Sequence, residues 1–420
     1  MITASLVSLM ATSSLCIHPI RSCSEFGRAE KEAIKASIGN HRIVMLGELT
    51  HGDGSSFEAK VELVKLLHQE MGFDVLVWES GLYDCSEMNR ELGGSRAIVP
   101  VAQMGVFSHW SKGKESIPVF EYARQTFKSA RPLTMAGFDI QPSGSASNSQ
   151  FPEMVSWFEG FAEFTPDDRD EAAAAFKDAQ QAGSAPDPQK AYAAMMLRVY
   201  GLASRMKSAV DKNPSAFKSK WKDEFGLRYQ VIKSAIQYHE MLKLIQKIQG
   251  GTNDFTEPYN LRERANAANL TWLVDSAFRG RKVVVWAHNV HIFNGTPGHS
   301  AGPKRVSGAT DSMGRIFASS REEKPYILGF MAYSGTWSWM GNPEIMLQTP
   351  SKDSMETKLH NQGYGSAFVD LANMPCESEW ARPMMGTIDQ QNPRPFVAKW
   401  KDGFDGLIFI SNMRPRKQLP

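Results

Sequence analysis

Cysteine is scarce, with four residues in a chain of 420. Cys16, Cys23, Cys85 and Cys376 include no C-x-x-C pair, which argues against a cysteine zinc site or a disulfide scaffold. Reduced thiols in a cytoplasmic protein are the expectation. Charge of one sign is also lacking. Lys and Arg number 47 against 45 Asp and Glu, for a formal net charge of +2. No broad field for nucleic acid follows, and aromatics are not interleaved with basic residues. No stretch reaches the ~20 apolar residues that a membrane span needs. The opening MITASLVSLMATSSLC is apolar but has no basic start and no small-residue cleavage site, so export is not expected. Several catalytic signatures are missing too. There is no G-x-S-x-G elbow, P-loop or H-E-x-x-H, and no G-x-G-x-x-G after a strand.

What is present is an alternation. Short apolar runs bounded by turn residues recur at Ile43–Leu46, Val75–Trp78, Leu133–Phe138 and Val283–Ala287. They are too short for helices and carry β-branched or aromatic residues, so they read as buried strands. Further strands are expected near Tyr326–Tyr333, Ala367–Val369 and Leu407–Ile410. Helical patterns lie between. The fold class is α/β, a mostly parallel β-sheet flanked by helices. After the first strand, Ser55 and Glu58 fit a capping box, Phe57, Val61, Val64 and Leu67 form an apolar stripe, and Gly72 suits a helix stop. From Phe151 to Gly251 no strand pattern appears. Stretches such as KAYAAMMLRVYGLASRMKSAV and LRYQVIKSAIQYHEMLKLIQKI read as helices, broken by a loop at Gly183–Pro188. The expected organisation is an α/β catalytic domain from residues 25–150 and 255–420. An all-helical insertion, 151–254, shapes the substrate cleft.

The strands are best aligned by their ends. VMLGE finishes at Glu48, VLVWE at Glu79, MAGFD at Asp139 and VVVWAH at His288. In open parallel sheets the ligand crevice lies outside the carboxyl ends of the strands. If these strands are neighbours, four ionisable side chains converge there. Any one acid would ordinarily be a solvated strand end or a helix cap, and for Asp139 the alternative is fixing the turn before Pro142. Four together favour a site. His51 lies three residues past Glu48 in LTHGDGSS, where Gly52 and Gly54 allow close backbone approach and a helix N-terminus follows. Histidine titrates near neutrality and can take a proton from water, while a nearby carboxylate orients its ring. Lys60 sits beside Phe57 and Val64 on the early helix, either snorkelling at the surface or near the site. In AHNVHI, His288 is read as functional and His291 as structural. Asn289 is either a substrate donor or a helix cap. Arg262 on the helix NLRERANAANLTWLV either holds a catalytic glutamate or pairs at the surface.

At these residues the sequence resembles the erythromycin esterase family. The matching pieces are LGELTHG (Leu46–Gly52), Lys60, the strand ending in Glu79, GFDIQ (Gly137–Gln141), NLRERANAANLTWL (Asn260–Leu273), VVVWAHNVHI (Val283–Ile292), SMGRIF (Ser312–Phe317) and FDGLIFI (Phe404–Ile410). The resemblance implies a sheet domain with helical additions. It also implies hydrolysis of a macrolide lactone, a route to antibiotic resistance, without a required metal or other cofactor. It matches His51 to the water-activating base, Glu48, Glu79 and His288 to its polar companions, and Lys60 and Arg262 to supporting positions. Glu263 and Asn266 depart from the residues usual there, and the helical middle has no matching motif.

Three functions compete. The leading one is an esterase or lactonase acting on a small-molecule ester, with His51 deprotonating water and His288 or loop amides holding the oxyanion. The second is a metal-dependent hydrolase using Zn²⁺, Mn²⁺ or Fe²⁺, for which only the ligand types speak. The third is a non-enzymatic haem- or metal-binding protein on a related fold, with His51 or His288 as axial ligand.

Overall fold

In the computed structural model, the residues described are 16–161, 164–165, 167–172, 174, 201–249, 254–295, 310–339 and 342–419. The apolar runs form strands buried on both faces. In chain order the strands are β1 (Ile17–Pro19), β2 (Ile43–Leu46), β3 (Phe73–Gly81), β4 (Thr134–Asp139), β5 (Lys282–Trp286) and β6 (Tyr326–Trp339). Then come β7 (Asn342–Met346), β8 (Ser366–Asp370), β9 (Met384–Gly386), β10 (Phe396–Ala398) and β11 (Gly406–Met413). Nine of them make one sheet in the order β1-β8-β11-β6-β2-β5-β3-β4, with β7 added to β6; β9 and β10 form a separate pair. From β11 to β4 every neighbouring pair is parallel. The antiparallel pairings in that sheet are β1–β8, β8–β11 and β6–β7.

Period-two alternation sends the side chains of each strand into two cores. Ile43, Met45, Val283 and Val285 enter one, while Val44, Leu46, Val284 and Trp286 enter the other. Continuous apolar runs are therefore what these covered strands require. Among the described residues of 151–254 the regular structure is helical. The expected loop at Gly183–Pro188 lies outside the described residues, as does the opening segment 1–15. No helix among the described residues is long and apolar enough to cross a membrane.

Five helices bear on the site: α1 (Gly54–Met71), α2 (Ser108–Ser111), α3 (Phe225–Gln249), α4 (Thr256–Trp272) and α5 (Asn289–Ile292). On α1 the stripe Phe57, Val61, Val64 and Leu67 is buried against the second core. Each such side chain contributes roughly 1.5–3 kcal/mol. Gly72 ends the helix in the left-handed conformation at φ 80°. The start differs from the expected capping box. Asp53, not Ser55, is the N-cap, and its carboxylate accepts from the Ser56 amide at 2.9 Å. Ser55 is occupied elsewhere, its hydroxyl accepting from the Arg414 amide at 2.9 Å.

That contact belongs to a longer seam. Residues 414–419 run beside the His51 loop and the segment after α2. Gly54 donates to the Arg414 carbonyl (3.0 Å), and Arg416 donates to the Gly52 carbonyl (2.8 Å). Lys114 donates to the Lys417 carbonyl and Leu419 to the Lys112 carbonyl, both at 2.8 Å.

Candidate active site

Strands β2, β5, β3 and β4 are consecutive in the sheet, so their carboxyl ends lie side by side. This brings Glu48, His288, Glu79 and Asp139 to one edge, all buried. Glu79 stands where the β3–β4 register slips between Trp78 and Gly81, an irregularity that re-aims a side chain.

The first half of the site is built on Glu48. Its Oε1 lies 2.7 Å from His51 Nδ1 and accepts from Trp110 Nε1 at 3.0 Å. Its Oε2 accepts from Lys60 Nζ at 2.7 Å and from Trp286 Nε1 at 3.2 Å. Lys60 is fully buried, donates also to the Ala287 carbonyl (3.2 Å) and lies 4.3 Å from the centre of the Trp286 ring. Burial lowers its pKa to about 8, with Glu48 opposing. The surface alternative for Lys60 is thereby set aside. With Lys60, Trp110 and Trp286 all donating to this carboxyl group, it acts as the acceptor toward His51 as well, which puts the ring proton on Nδ1. Its Nε2 is left as the basic nitrogen, on a ring that lines a cleft.

The second half is built on Glu79. Its Oε2 accepts the His288 backbone amide at 2.8 Å. Its Oε1 pairs with Arg262 at 3.2 Å and with His291 Nε2 at 3.1 Å. Arg262 also binds both oxygens of Asp139, through Nε at 3.2 Å and through a second, shorter contact. Asp139 in turn accepts from the Gln141 amide (3.0 Å), so it both fixes the turn and anchors the guanidinium. His291 Nδ1 bonds Glu263 at 2.6 Å. Burial opposes its charge, but Glu263 and Glu79 outweigh it and push His291 up to about 10. Burial also opposes ionisation of Glu79, but His291, His51 and Arg262 hold it well below the usual carboxylate range. His291, read from sequence as structural, bridges Glu79 and Glu263 and also lines the cleft.

His288 caps α5, its Nδ1 accepting from the Val290 amide at 3.1 Å. That bond puts the neutral ring's proton on Nε2. This Nε2 is buried without a hydrogen-bond partner, 3.7 Å from Asp389. Burial pushes His288 down to about 3, against Asp389, so the ring is neutral at pH 7. Its N–H is an uncommitted donor in the cleft.

The loop amides are not donors of that kind. Gly52 N–H turns to Thr50 Oγ1 (3.4 Å), Asp53 N–H to the Thr50 carbonyl (3.2 Å), and Gly54 N–H to Arg414. The first turn of α1 is already faced by Asp53, which burial pushes up to about 7. Gly52 and Gly54 admit protein backbone rather than ligand: a Cβ on Gly52 would meet Ser338 O at 1.8 Å, and one on Gly54 Pro415 O at 2.7 Å. Asn289 does not face the cleft. It is fully buried, and its amide pairs with both backbone groups of Phe330, at 2.8 and 3.1 Å.

A family model described as erythromycin esterase matches residues 68–413. The chain belongs to the erythromycin esterase family. Similar proteins include the putative hydrolase YbfO of Bacillus subtilis (strain 168), 25% identical over 91% of this chain and 86% of that protein. Erythromycin esterase type II of Escherichia coli is 22% identical over 94% of this chain and 93% of its own. Among solved structures, a Bacillus cereus protein aligns with a TM-score of 0.73 at 18% identity, covering 98% of this chain and 99% of the other. A histidine-to-asparagine variant of the erythromycin esterase EreC, in its open conformation, aligns at 0.70 and 17% identity, covering 94% and 98%. At such identities the structures share the fold, and membership of the erythromycin esterase family points to a hydrolase.

In this family member the histidines and carboxylates open onto a cleft of about 270 Å³. Several of its walls escaped the sequence reading. His109 and Trp110 come from the four-residue α2, Trp339 from the end of β6, and Asp389 from a loop. His109 stacks on Trp339, rings 4.4 Å apart, and burial with help from His51 and Arg416 lowers it to about 3. No residue lining this cleft comes from the described part of 151–254. Among the described residues no group of three or more His, Cys, Asp or Glu is placed to hold a metal ion.

Proposed function

We propose that the chain is a carboxylic ester hydrolase that opens a macrolide lactone or a similar ester with a water activated by His51. The observation that carries this reading is the 2.7 Å contact of His51 Nδ1 with Glu48 Oε1: Nδ1–H donates to the carboxylate, which leaves Nε2 as the basic nitrogen of a ring that lines the cleft. In the reaction, Nε2 takes a proton as the water oxygen bonds the carbonyl carbon. The imidazolium so formed sits against the Glu48 carboxylate. The carbonyl oxygen becomes an oxyanion and accepts from His288 Nε2–H, which has no hydrogen-bond partner and has Asp389 3.7 Å away. On collapse the bond from carbon to the leaving oxygen breaks, and His51 returns its proton to that oxygen. The products are a carboxylic acid and an alcohol, joined in one molecule when the substrate is a lactone. General base catalysis of this kind contributes about 10²–10⁴-fold.

Glu79, Arg262, Asp139 and His291 form a buried lattice of alternating charge that fixes the His288 backbone. Their part is to hold geometry while charge moves elsewhere. The test is mass spectrometry of a macrolide and simple-ester panel incubated with the native protein and with His51→Ala. Addition of one water by the native protein only is the expected result. Full activity in His51→Ala would refute the assignment. Activity that disappears on prolonged chelation and returns with Zn²⁺ or Mn²⁺ would replace it with a metal-dependent reaction.

A further inference from the structure

A second cavity, of about 300 Å³, lies between α3, α4 and the helical residues 201–212. It is as large as the catalytic cleft. It is lined along the same side of α4 that carries Arg262, one to two turns further on, at Ala265, Ala268 and Asn269. Its floor is a buried amide network of fixed polarity. Asn269 Nδ2 donates to the Phe138 carbonyl at 2.9 Å, which makes its Oδ1 the acceptor. That oxygen receives Ser234 Oγ at 3.0 Å and Gln230 Nε2 at 2.6 Å. Gln230 must therefore turn its Oε1 away, and that oxygen is buried with no partner. Gln230 itself is 4% exposed. A buried acceptor left unpaired is uncommon and costs stability unless something donates to it.

The walls complete the description. Ile140, Ile236, Ala265 and Ala268 are apolar, and three cations stand around them. Two are neutralised locally, Lys207 by Asp211 at 2.6 Å and Arg264 by Glu257 at 2.8 Å. Lys233 is partly buried, with its ammonium 4.9 Å from the centre of the Tyr229 ring and no carboxylate of the described residues within ion-pair distance. Among the described residues the lining thus carries one cation without an ion pair, with Asp211 acting on it only from a distance, an apolar wall and one acceptor without a partner.

We infer that this cavity is a binding site for a small amphipathic carboxylate bearing a hydroxyl group. The carboxylate pairs with Lys233, the hydroxyl donates to Gln230 Oε1, and the carbon chain lies against Ile140 and Ile236. One excess charge suits a monoanion better than a phosphate dianion. The inference does not depend on the hydrolytic reading of the other cleft, although a hydroxy acid is also what opening a lactone would release.

The experiment is calorimetric titration of the whole chain with β-hydroxyoctanoate, beside octanoate, octanediol and octyl phosphate. β-Hydroxyoctanoate is expected to saturate at or below about 1 mM. Octanoate, which cannot donate to Gln230, is expected to bind about 2- to 10-fold more weakly. Octanediol, which lacks the charge, is expected to bind more weakly still. Lys233→Met, at a partly exposed position, and Gln230→Met should each weaken β-hydroxyoctanoate, while His51→Ala should leave it unchanged. No saturation, or full affinity in Lys233→Met, would overturn the site. Loss of binding in His51→Ala would move the ligand to the catalytic cleft. Tighter binding of octyl phosphate would overturn the choice of a carboxylate.

Discussion

Removing the Lys60 ammonium tests whether Glu48 is a clamped charge. Lys60→Met keeps the length and apolar contacts of the side chain and deletes only the cation. Nζ and Oε2 are 2.7 Å apart, and both side chains are fully buried. At an effective dielectric constant of about 20 the gross attraction is roughly 6 kcal/mol. Most of that offsets the desolvation of two ions, but breaking a buried pair leaves one desolvation uncompensated, which costs about 3–5 kcal/mol. Glu48 keeps His51, Trp110 and Trp286 as donors, so the lower end, about 3 kcal/mol, is expected. Reversible urea unfolding should show a lower midpoint with unchanged slope. Turnover should fall as well, because the carboxylate that orients His51 is no longer held from its far side. A loss under about 1 kcal/mol with native turnover would refute the reasoning, since it would mean that water replaces the lysine.

Four further outcomes are expected. His288→Ala should lower kcat about 10²–10³-fold with little change in KM, read by steady-state kinetics, and a larger change in KM than in kcat would argue against an oxyanion donor. Trp110→Phe deletes a hydrogen bond to a buried carboxylate and should cost about 1.5–3 kcal/mol in urea unfolding. For His291, raised to about 10 in the folded state from an ordinary 6.5, the folded protein holds the extra proton, so its contribution is full below pH 6.5 and is lost as pH rises toward 10. The stability gap between native protein and His291→Gln should therefore shrink from pH 6 to pH 10, and a constant gap would contradict the charge assignment. Trp339→Ala removes the ring stacked on His109 at the cleft and should raise KM about 2- to 10-fold with kcat nearly kept.

The sheet was legible because its strands are covered on both faces. Ile43–Leu46 and the Val283–Trp286 run have no polar residue to confuse the reading, and each is followed two residues on by an ionisable side chain, Glu48 and His288. Helical spacing also puts Arg262, Ala265 or Asn266, and Asn269 along one side of α4. Other features depended on partners far along the chain. Ser55 and Asp53 are both good capping residues, and the choice falls to Asp53 because Arg414 takes the Ser55 hydroxyl. Gly52 and Gly54 looked like ligand contacts until β6 and Pro415 filled the space. Trp110 gives no periodic signal in a helix of one turn, yet it donates to Glu48. His291 was read as structural because one sequence cannot show that Glu79 and Glu263 both reach it. The polarity of Asn289 suggested a substrate or a cap, whereas its amide completes backbone pairing that β6 would otherwise lack.

The seam made by residues 414–419 has a consequence for biosynthesis. The Arg414 amide that meets Ser55 lies 359 positions after it in sequence. At about 5–20 residues per second, a ribosome takes roughly 20–70 s to pass from one to the other. Through that interval the emerging polypeptide already contains Glu48, His51 and Lys60, but the strap that fixes the backbone of Gly52 and Gly54 does not yet exist. A product that ends before Arg414 would contain Glu48, His51 and Lys60 but lack the bonds that hold the loop around His51. The backbone of Gly52 and Gly54 is therefore expected to reach its final hydrogen bonding only after residues 414–416 have been made.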